Sequence, residues 1–155
     1  MGVDRRSRLD GVDLHLLELL QDDPRATMAQ LARAVSMSPP AVTDRVRRME
    51  RSGVIRGYEL DIDPTSLGLA VCAYVRVKPL ANQVAKVAEV AVSSPNVAEC
   101  HRITGEDCFL MRVHVAVIDD LPRVLDPFRI LGQTVTSIVV ASPVPRRPLP
   151  VDPQD

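Results

Sequence analysis

Residues 36–53 of the chain read SMSPPAVTDRVRRMERSG, and they carry the start and stop signals of a single helix. Ser38 is a suitable N-cap, and the two prolines that follow it fall in the first turn, where a missing N–H group costs little. Gly53 stands where a residue in the left-handed conformation commonly ends a helix. Three apolar residues recur at helical spacing and predict one buried stripe: Val42, Val46 and Met49.

The other faces of this predicted helix are rich in positive charge. Four arginines fall within seven residues: Arg45, Arg47, Arg48 and Arg51. A short cationic helix suits the DNA major groove, with its N-terminal half at base edges and its arginines at phosphates. The same composition is also typical of a solvated amphipathic surface, so the helix alone does not separate these two interpretations.

The residues before this helix favour a helix-turn-helix motif. Thr27 can cap the segment MAQLARAV, in which Leu31, Ala32 and Val35 form an apolar stripe. Only the short stretch SMS separates the two predicted helices, although its serines stand where this motif more often has a glycine.

Further elements are predicted on either side of the motif. Asp10 predicts the start of an earlier helix, with Asp13 in its first turn, where the helix dipole favours an acid. Residues 1–8 predict a mobile arm, and residues 54–63, VIRGYELDID, predict a strand or small wing. Four apolar residues of the first helix are expected to face inward: Val12, Leu16, Leu19 and Leu20.

Residues 9–64 as a whole resemble the N-terminal half of the Lrp/AsnC (leucine-responsive/asparagine-operon) family of bacterial and archaeal transcription regulators. The resemblance implies a DNA-binding regulator whose first helix supports the helix-turn-helix from behind. The residues at family-pattern positions are Leu9, Asp10, Asp13, Leu20, Arg25, Leu31, Ala32, Ser38, Val42, Arg45, Val46, Glu50, Gly53, Val54, Ile55 and Gly57.

The second helix of the motif supplies the candidate DNA-binding residues. Asp44 can accept a hydrogen bond from a cytosine amino group, and Arg47 can bind guanine through two hydrogen bonds. The candidates for base edges are Pro40, Thr43, Asp44 and Arg47. Three arginines are expected at phosphates, and the N-cap serine completes the set: Arg45, Arg48, Arg51 and Ser38. An alternative for Arg45 is an ion pair with an acid of its own domain.

Length, composition and charge fit a regulator of this kind. The chain has 155 residues, 46% of them hydrophobic and 25% charged, as in a soluble globular protein of one domain or two small ones. The formal net charge is −1, yet seven arginines and only two acids lie between Arg25 and Arg56, a local balance of +5. Three cysteines without C-x-x-C spacing predict a reducing cytoplasm. No signal peptide, membrane span, metal site or cofactor is expected.

After Gly68 the hydrophobic pattern changes from the helical period to strict alternation, as in a half-buried strand. Strands are predicted at residues 69–77, 97–103, 108–117 and 134–142, with helices at 81–94 and after a cap at Asp119 or Asp120. The order βαββαβ predicts an α+β, ferredoxin-like domain with a four-stranded antiparallel sheet and two helices on one face. Its bare face predicts a second subunit, with the interface candidates Cys72, Tyr74, Arg76, Leu110, Arg112 and His114.

This half also resembles the Lrp/AsnC family, whose C-terminal part is a small-molecule sensing and assembly module of this architecture. Val97, Glu99, Cys100, Thr104, Gly105, Thr136 and Ser137 match its pattern. The family loop most often reads Gly-x-x-Asp followed by an aromatic residue, whereas here Cys108 takes the fourth position and the acid is Asp107. The turn at residues 131–134 is also shorter than usual.

The resemblance implies an effector site at this loop and on the last strand. The candidate effector-binding residues are Thr104, Gly105, Glu106, Asp107, Cys108, Thr134 and Thr136. Gly105 lets the backbone approach a ligand closely, and the acids offer charge to an ammonium group. A tight hairpin turn that merely prefers Gly and Asp is the alternative explanation.

The domains are therefore predicted as residues 1–62, a DNA-binding domain with a hinge strand, and 63–145, an effector-binding and oligomerisation domain. Residues 146–155 are predicted as a proline-rich tail that is either disordered or an extended cover of a strand edge.

The predicted function is a sequence-specific, DNA-binding transcriptional regulator, without enzymatic activity, that responds to an amino acid or a related metabolite. It is expected as a homodimer on a pseudo-palindromic DNA site, and the resemblance implies assembly to an octamer. Two alternatives stay open. One is a tetrapyrrole (haem-biosynthesis) decarboxylase of the same fold, using His101, Arg102, Arg112 and His114. The other is an architectural protein that coats DNA without sequence preference.

Overall fold

The computed structural model describes residues 9–105 and 108–151, so the arm predicted at residues 1–8 lies outside the described residues. The chain divides into two compact units that do not follow chain order. One unit, here called the N-terminal unit, joins the residues up to Leu60 to those from Val144 onward, and the C-terminal unit is Asp61–Pro143. None of the helices described is long and apolar enough to cross a membrane.

The N-terminal unit is built on three helices: α1 (Gly11–Asp22), α2 (Met28–Ala34) and α3 (Pro39–Arg51). The side chains of Asp10, Thr27 and Ser38 cap them as predicted, each accepting a hydrogen bond from a backbone N–H three residues on. The buried core follows the predicted apolar stripes closely: Leu16, Leu20, Leu31, Ala32, Val42, Val46 and Met49.

A serine makes the turn between α2 and α3. Ser36 has a φ of 55°, in the left-handed region that glycine adopts freely and other residues rarely do. The Met37 N–H then donates to the Ala32 carbonyl at 2.9 Å, which closes the turn. The short SMS stretch therefore performs the reversal for which this motif usually has a glycine.

The end of α3 is a Schellman motif. Gly53 has a φ of 73°, its N–H donates to the Glu50 carbonyl at 3.0 Å, and the Val54 N–H donates to the Met49 carbonyl at 3.0 Å. The strand predicted for residues 54–63 is wrong, because none of them is in a strand. β-branched residues favour an extended chain, but a strand also needs a ladder partner, and none of the ladders among the described residues includes this segment.

The C-terminal unit has the predicted order βαββαβ. Its elements are β1 (Val71–Pro79), α4 (Val84–Ser93), β2 (Val97–Arg102), β3 (Phe109–Val115), α5 (Leu121–Arg129) and β4 (Gly132–Ile138). The sheet order is β2-β3-β1-β4, with every neighbouring pair antiparallel. This is the ferredoxin-like arrangement, and the predicted fold class is confirmed. Alternate residues of β1 and β3 are buried beneath the two helices, among them Val75, Val77, Met111 and Val113.

Three boundaries in this unit differ from prediction for local reasons. Asn82 has a φ of 65°, so α4 begins after it, at Val84. Neither predicted aspartate caps α5, because a 3₁₀ turn at Ile118–Asp120 leads directly into it and Asp120 is already helical, with no capping bond from its side chain. β4 begins two residues early, at Gly132, where a Cβ would lie 2.2 Å from the Lys78 carbonyl oxygen of β1. Glycine alone permits that approach.

The described part of the proline-rich tail pairs with no strand. Its described part, residues 144–151, has no helix or strand and lies against the N-terminal unit. Gln21 Nε2 donates to the Leu149 carbonyl oxygen at 3.2 Å, and Arg146 Nη2 donates to Glu59 Oε2 at 2.9 Å. The tail is therefore an extended part of the unit that holds the three helices.

Candidate nucleic-acid interface and ligand site

Helix α3 presents three different faces. The buried stripe of Val42, Val46 and Met49 packs into the core. Residues 40, 44, 47 and 51 lie on the opposite side of a helix with about 3.6 residues per turn, and all four are exposed: Pro40, Asp44, Arg47 and Arg51. We call these four residues the outer stripe. Arg45 and Arg48 form the third face, between the other two, and it is turned toward α1.

Arg45 and Arg48 both bind a buried carboxylate on α1. The side chain of Asp13 is 0% exposed, and it accepts from Arg45 Nη1 at 2.8 Å and from Arg48 Nη2 at 2.9 and 2.7 Å. Arg45 Nη1 also donates to Asp10 Oδ2 at 2.7 Å. These contacts hold α3 to the first turn of α1, so the two arginines position the helix within its own domain.

Arg45 and Arg48 differ in how much of the side chain is exposed and able to contact DNA. The side chain of Arg45 is 23% exposed and pairs with two carboxylates, so the alternative of pairing within its own domain is the one observed. Arg48 is 53% exposed, and its guanidinium has N–H groups beyond those that Asp13 accepts. The hydrogen bonds from Arg45 and from the Asp13 N–H hold the pKa of Asp10 below its usual value.

The remaining candidates for DNA contact lie at the start of α3. The Ser38 hydroxyl accepts from the Ala41 N–H at 3.4 Å, and the Thr43 hydroxyl donates to the Pro39 carbonyl at 2.8 Å. Both hydroxyls are therefore engaged by the helix itself, although Ser38 is exposed and Thr43 partly so. Arg47 and Arg51 make no ion pair with any residue that the structure describes. Their charge is fully available at the surface.

The face of the sheet opposite its helices carries the predicted subunit-interface residues. Tyr74 on β1 is 42% exposed and pairs in register with Arg112 on β3, whose Nη2 lies 2.7 Å from Glu99 Oε1 on β2. Arg112 Nε and His114 Nδ1 are buried without a hydrogen-bond partner among the described residues. Burial, with Arg112 nearby, lowers the pKa of His114, and burial raises the pKa of the Cys72 thiol.

The candidate ligand loop joins β2 to β3. The Ile103 N–H donates to the Cys108 carbonyl at 2.9 Å, Thr104 and Gly105 are exposed, and Gly105 has a φ of 110°, which favours glycine. Cys108 is partly buried and packs against the core. Glu106 and Asp107 lie outside the described residues.

The two threonines proposed for the same site lie on β4, on the helix-facing side of the sheet. Thr134 pairs with Val77, which pairs with Phe109 at the end of the loop. With neighbouring strands about 4.8 Å apart, Thr134 lies about 10 Å across the sheet from the loop. Thr136 is one step further along and is exposed. The fold thus brings the described part of the loop and Thr134 to the same end of the sheet.

The residues suggested for a tetrapyrrole site do not share one surface. His101 pairs with Leu110 and so lies on the open face with Arg112 and His114, whereas Arg102 pairs with the buried Phe109 and points to the other side. Among the residues that the structure describes, no group of three or more His, Cys, Asp or Glu side chains is placed to bind a metal ion.

Sequence reasoning missed two features of these sites. The burial of Asp13 had a signal, because Asp10 and Asp13 repeat at the spacing of Arg45 and Arg48 and so predict facing helix turns. The docking of the tail had no such signal, because its prolines and charges carry no periodicity.

Comparison with known proteins matches the N-terminal and the C-terminal parts of the chain to two different family models. A family model described as winged helix-turn-helix DNA-binding matches residues 9–56, and one described as Lrp/AsnC ligand binding domain matches residues 72–149. The HTH-type transcriptional regulator LrpC of Bacillus subtilis (strain 168) is 31% identical over 132 residues, which are 85% of this chain and 92% of that protein.

Two further similarities concern a relative and a solved structure. The glutamate uptake regulatory protein of Zymomonas mobilis is 31% identical over 119 residues, 75% of this chain and 73% of that protein. The solved structure of Bacillus subtilis LrpC superposes with a TM-score of 0.82 at 30% identity, covering 87% of this chain and 96% of that one. The similarity therefore extends through both units.

Proposed function

This chain belongs to the Lrp/AsnC family of transcriptional regulators, and we propose that it recognises its DNA site through the outer stripe of α3. It is a DNA-binding transcriptional regulator with an N-terminal winged helix-turn-helix domain and a C-terminal ferredoxin-like domain. The observation that supports the proposal is the separation of the faces of α3. One face is buried, one is bound to α1, and the outer stripe is exposed with two arginines free of ion pairs to described residues.

Within α3, base readout is assigned to the N-terminal half and phosphate binding to the C-terminal half. Asp44 and Arg47 carry groups that suit cytosine and guanine edges, and Pro40 and Thr43 lie beside them for close apolar contact. Arg51, in the last turn, is assigned to a phosphate, and so is the exposed edge of Arg48. Arg45 and Ser38 are assigned to holding the helix in place, as their hydrogen bonds are already made within the domain.

The test compares Arg47→Ala with Arg51→Ala, two exposed arginines of the same stripe. Arg47→Ala is expected to weaken binding to a selected site by about 1 to 3 kcal/mol and to relax the preference at one base pair. Arg51→Ala is expected to weaken binding to selected and random DNA equally. Sites are first selected from a random DNA pool, and affinities are measured at fixed salt. Equal losses by both variants on both DNAs would contradict this division of roles.

The open face of the sheet is proposed as the contact between two subunits. A half-exposed tyrosine, a buried arginine Nε and a buried histidine Nδ1 without partners among the described residues are groups that a second subunit can cover and satisfy. Pairing through this face gives a dimer with two copies of α3, which suits a pseudo-palindromic DNA site. Further assembly of dimers, to an octamer, is proposed from the family alone.

Sedimentation of two matched variants tests this contact. Tyr74→Arg places a charge on the open face, whereas Val92→Arg places one on the exposed side of α4. We expect the first to dissociate dimers at concentrations at which the second leaves them intact. Equal behaviour of the two variants would remove the open face from the interface.

An amino acid is proposed as the effector, bound near the loop at residues 103–108. The matched family model describes a ligand-binding domain, and one relative is named for the uptake of glutamate, an amino acid. The loop offers exposed backbone at Gly105, the Thr104 hydroxyl and, in its sequence, two acids. Thr134, at the same end of the sheet, and Thr136 are proposed to add hydroxyl groups, and Cys108 to hold the loop against the core.

Thermal-shift and calorimetric titration with the standard amino acids tests this site. The variant is Gly105→Trp, and its control is Gly68→Trp. Both glycines have positive φ and open space where a Cβ would stand, so both substitutions place a side chain in a backbone conformation that favours glycine. A response that is lost only in Gly105→Trp supports the site. No response of the wild-type protein at millimolar concentration, or equal responses of both variants, would refute it.

The comparisons favour this function over the two alternatives. One relative is named as a transcriptional regulator and another as a regulatory protein, which favours a protein without catalytic activity. Selection from random DNA separates a specific regulator from a coating protein, because the latter returns no common sequence.

A further inference from the structure

The tail connects two parts of the N-terminal unit that are distant in sequence. Gln21, near the end of α1, binds the Leu149 carbonyl, and Glu59 binds Arg146. A cleft of about 630 Å³ lies between the tail, the end of α1 and residues 54–59, with Leu20 and Val54 among its apolar lining. The tail thus spans the surface between α1 and the segment that follows α3.

That segment is in turn bound to the end of α3. The Val54 and Ile55 N–H groups both donate to the Met49 carbonyl, at 3.0 and 3.1 Å, and the Tyr58 hydroxyl donates to Glu50 Oε1 at 3.3 Å. Glu59, the next residue, accepts a hydrogen bond from Arg146 of the tail. The tail is therefore linked to the last turn of α3 through two side-chain hydrogen bonds and the peptide bond between Tyr58 and Glu59.

The contacts of the tail are of the kind that open and close readily. Arg146 and Glu59 are each 71% exposed, and an exposed ion pair is worth little because water and salt screen it. The carbonyl bond from Gln21 is also exposed, and the tail has no regular secondary structure. Contacts of this kind open at a low free-energy cost, so a small change can shift the balance between a docked and a released segment.

We propose that residues 144–149 form a strap that holds residues 54–59 against the ends of α1 and α3. When the strap is docked, the last turn of α3 is fixed and affinity for DNA is high. When the strap is released, residues 54–59 loosen and affinity for DNA falls. The tail is then a regulatory element of the DNA-binding unit.

The test uses charge reversal in the full-length protein. Arg146→Glu and Glu59→Arg each break the ion pair, and the double variant rebuilds it with the charges exchanged. Arg147→Glu is the matched control, because it makes the same change of charge at the neighbouring exposed residue. Amide hydrogen exchange is followed at residues 54–59, and affinity is measured on random DNA, so that neither readout depends on the proposed base contacts.

Each single reversal is expected to raise the exchange rate at residues 54–59 about twofold to fivefold, the range for an exposed ion pair. The double variant is expected to exchange at the wild-type rate. Arg147→Glu is also expected to exchange at the wild-type rate. Affinity for DNA is expected to fall more in Arg146→Glu than in Arg147→Glu. Equal exchange in the two arginine variants, or no recovery in the double variant, would overturn the strap. Changed exchange with equal affinities would overturn its link to DNA binding.

Discussion

The cluster of Asp13, Arg45 and Arg48 gives the sharpest prediction about stability. Asp13 is completely buried, whereas Arg45 is 23% and Arg48 53% exposed. Removal of the acid leaves two cations that can turn toward water, but removal of both cations leaves a carboxylate that cannot. The loss of a charged partner from a buried ion costs far more than the pair itself contributes. The two kinds of substitution are therefore expected to differ strongly.

The contacts of each arginine determine how much stability its substitution is expected to remove. Arg48→Ala leaves Asp13 with Arg45 and with the Asp10 N–H at 3.2 Å, so we expect a loss of about 1 to 2 kcal/mol. Arg45→Ala removes bonds to two carboxylates and is expected to cost about 2 to 3 kcal/mol. The double variant strands the carboxylate, and we expect a loss of more than about 5 kcal/mol. The two losses are expected to be more than additive, because each arginine compensates for the other.

A third substitution, Asp13→Asn, is expected to change the stability of the N-terminal unit in opposite directions in two backgrounds. In the wild-type protein Asp13→Asn removes a charge that two arginines bind, so it is expected to destabilise the N-terminal unit. In the Arg45→Ala, Arg48→Ala background the same change removes an uncompensated buried charge, so it is expected to stabilise the unit. The asparagine oxygen can still accept the Asp10 N–H in both cases.

The measurement must report on one unit of a two-unit chain. The protein has no tryptophan and only two tyrosines, so amide hydrogen exchange resolved along α1 and α3 at increasing urea is the suitable assay. It gives the free energy of opening of the N-terminal unit alone. If Asp13→Asn has the same sign in both backgrounds, or if the two arginine losses simply add, the buried carboxylate does not control this site.

Other expected outcomes concern the turn, the sheet and pH. Ser36→Gly is expected to stabilise the N-terminal unit by up to about 1 kcal/mol in urea unfolding, since glycine relieves the positive φ but loses more chain entropy. Gly132→Ala is expected to cost at least about 1 to 3 kcal/mol, because its Cβ meets the backbone of β1, and a variant with unchanged stability would contradict that close approach. Burial lowers the pKa of His114 below its usual 6.5, so the unfolded chain binds the proton more readily than the folded chain. The contribution of neutral His114 to the stability of the C-terminal unit is therefore fully present above pH 6.5 and is lost as pH falls through the lowered pKa. His114→Gln is expected to flatten this dependence.

The features that local chemistry determines were predictable from the sequence. Caps at Asp10, Thr27 and Ser38 depend on a side chain three residues from its partner, and the end of α3 depends on Gly53. The order of strands and helices in the C-terminal unit followed from periods of two and of about 3.6 residues. Family resemblance then added the function, which these patterns alone left open between a DNA-binding helix and an ordinary solvated one.

Features that depend on distant partners were not predictable in this way. Residues 54–63 have the composition of a strand, but a strand also requires a neighbour that sequence pattern does not reveal. The docking of the tail depends on single contacts at Gln21 and Glu59 that have no sequence signature. The start of β4 depends on how closely Gly132 approaches Lys78. The alternation of apolar and polar residues does not indicate this backbone contact.

The same distinction changes how the charge of α3 should be counted. Its four arginines suggest a strongly cationic surface, but the carboxylates of Asp10 and Asp13 compensate Arg45 and much of Arg48. The outer stripe retains Arg47 and Arg51 against Asp44, a modest charge. Non-specific attraction to phosphate grows with the number of free cations, whereas the base contacts proposed for Asp44 and Arg47 would select by the pattern of base edges. A helix that commits two of its arginines to its own scaffold therefore gives up general affinity and fixes the orientation that sequence-specific recognition requires.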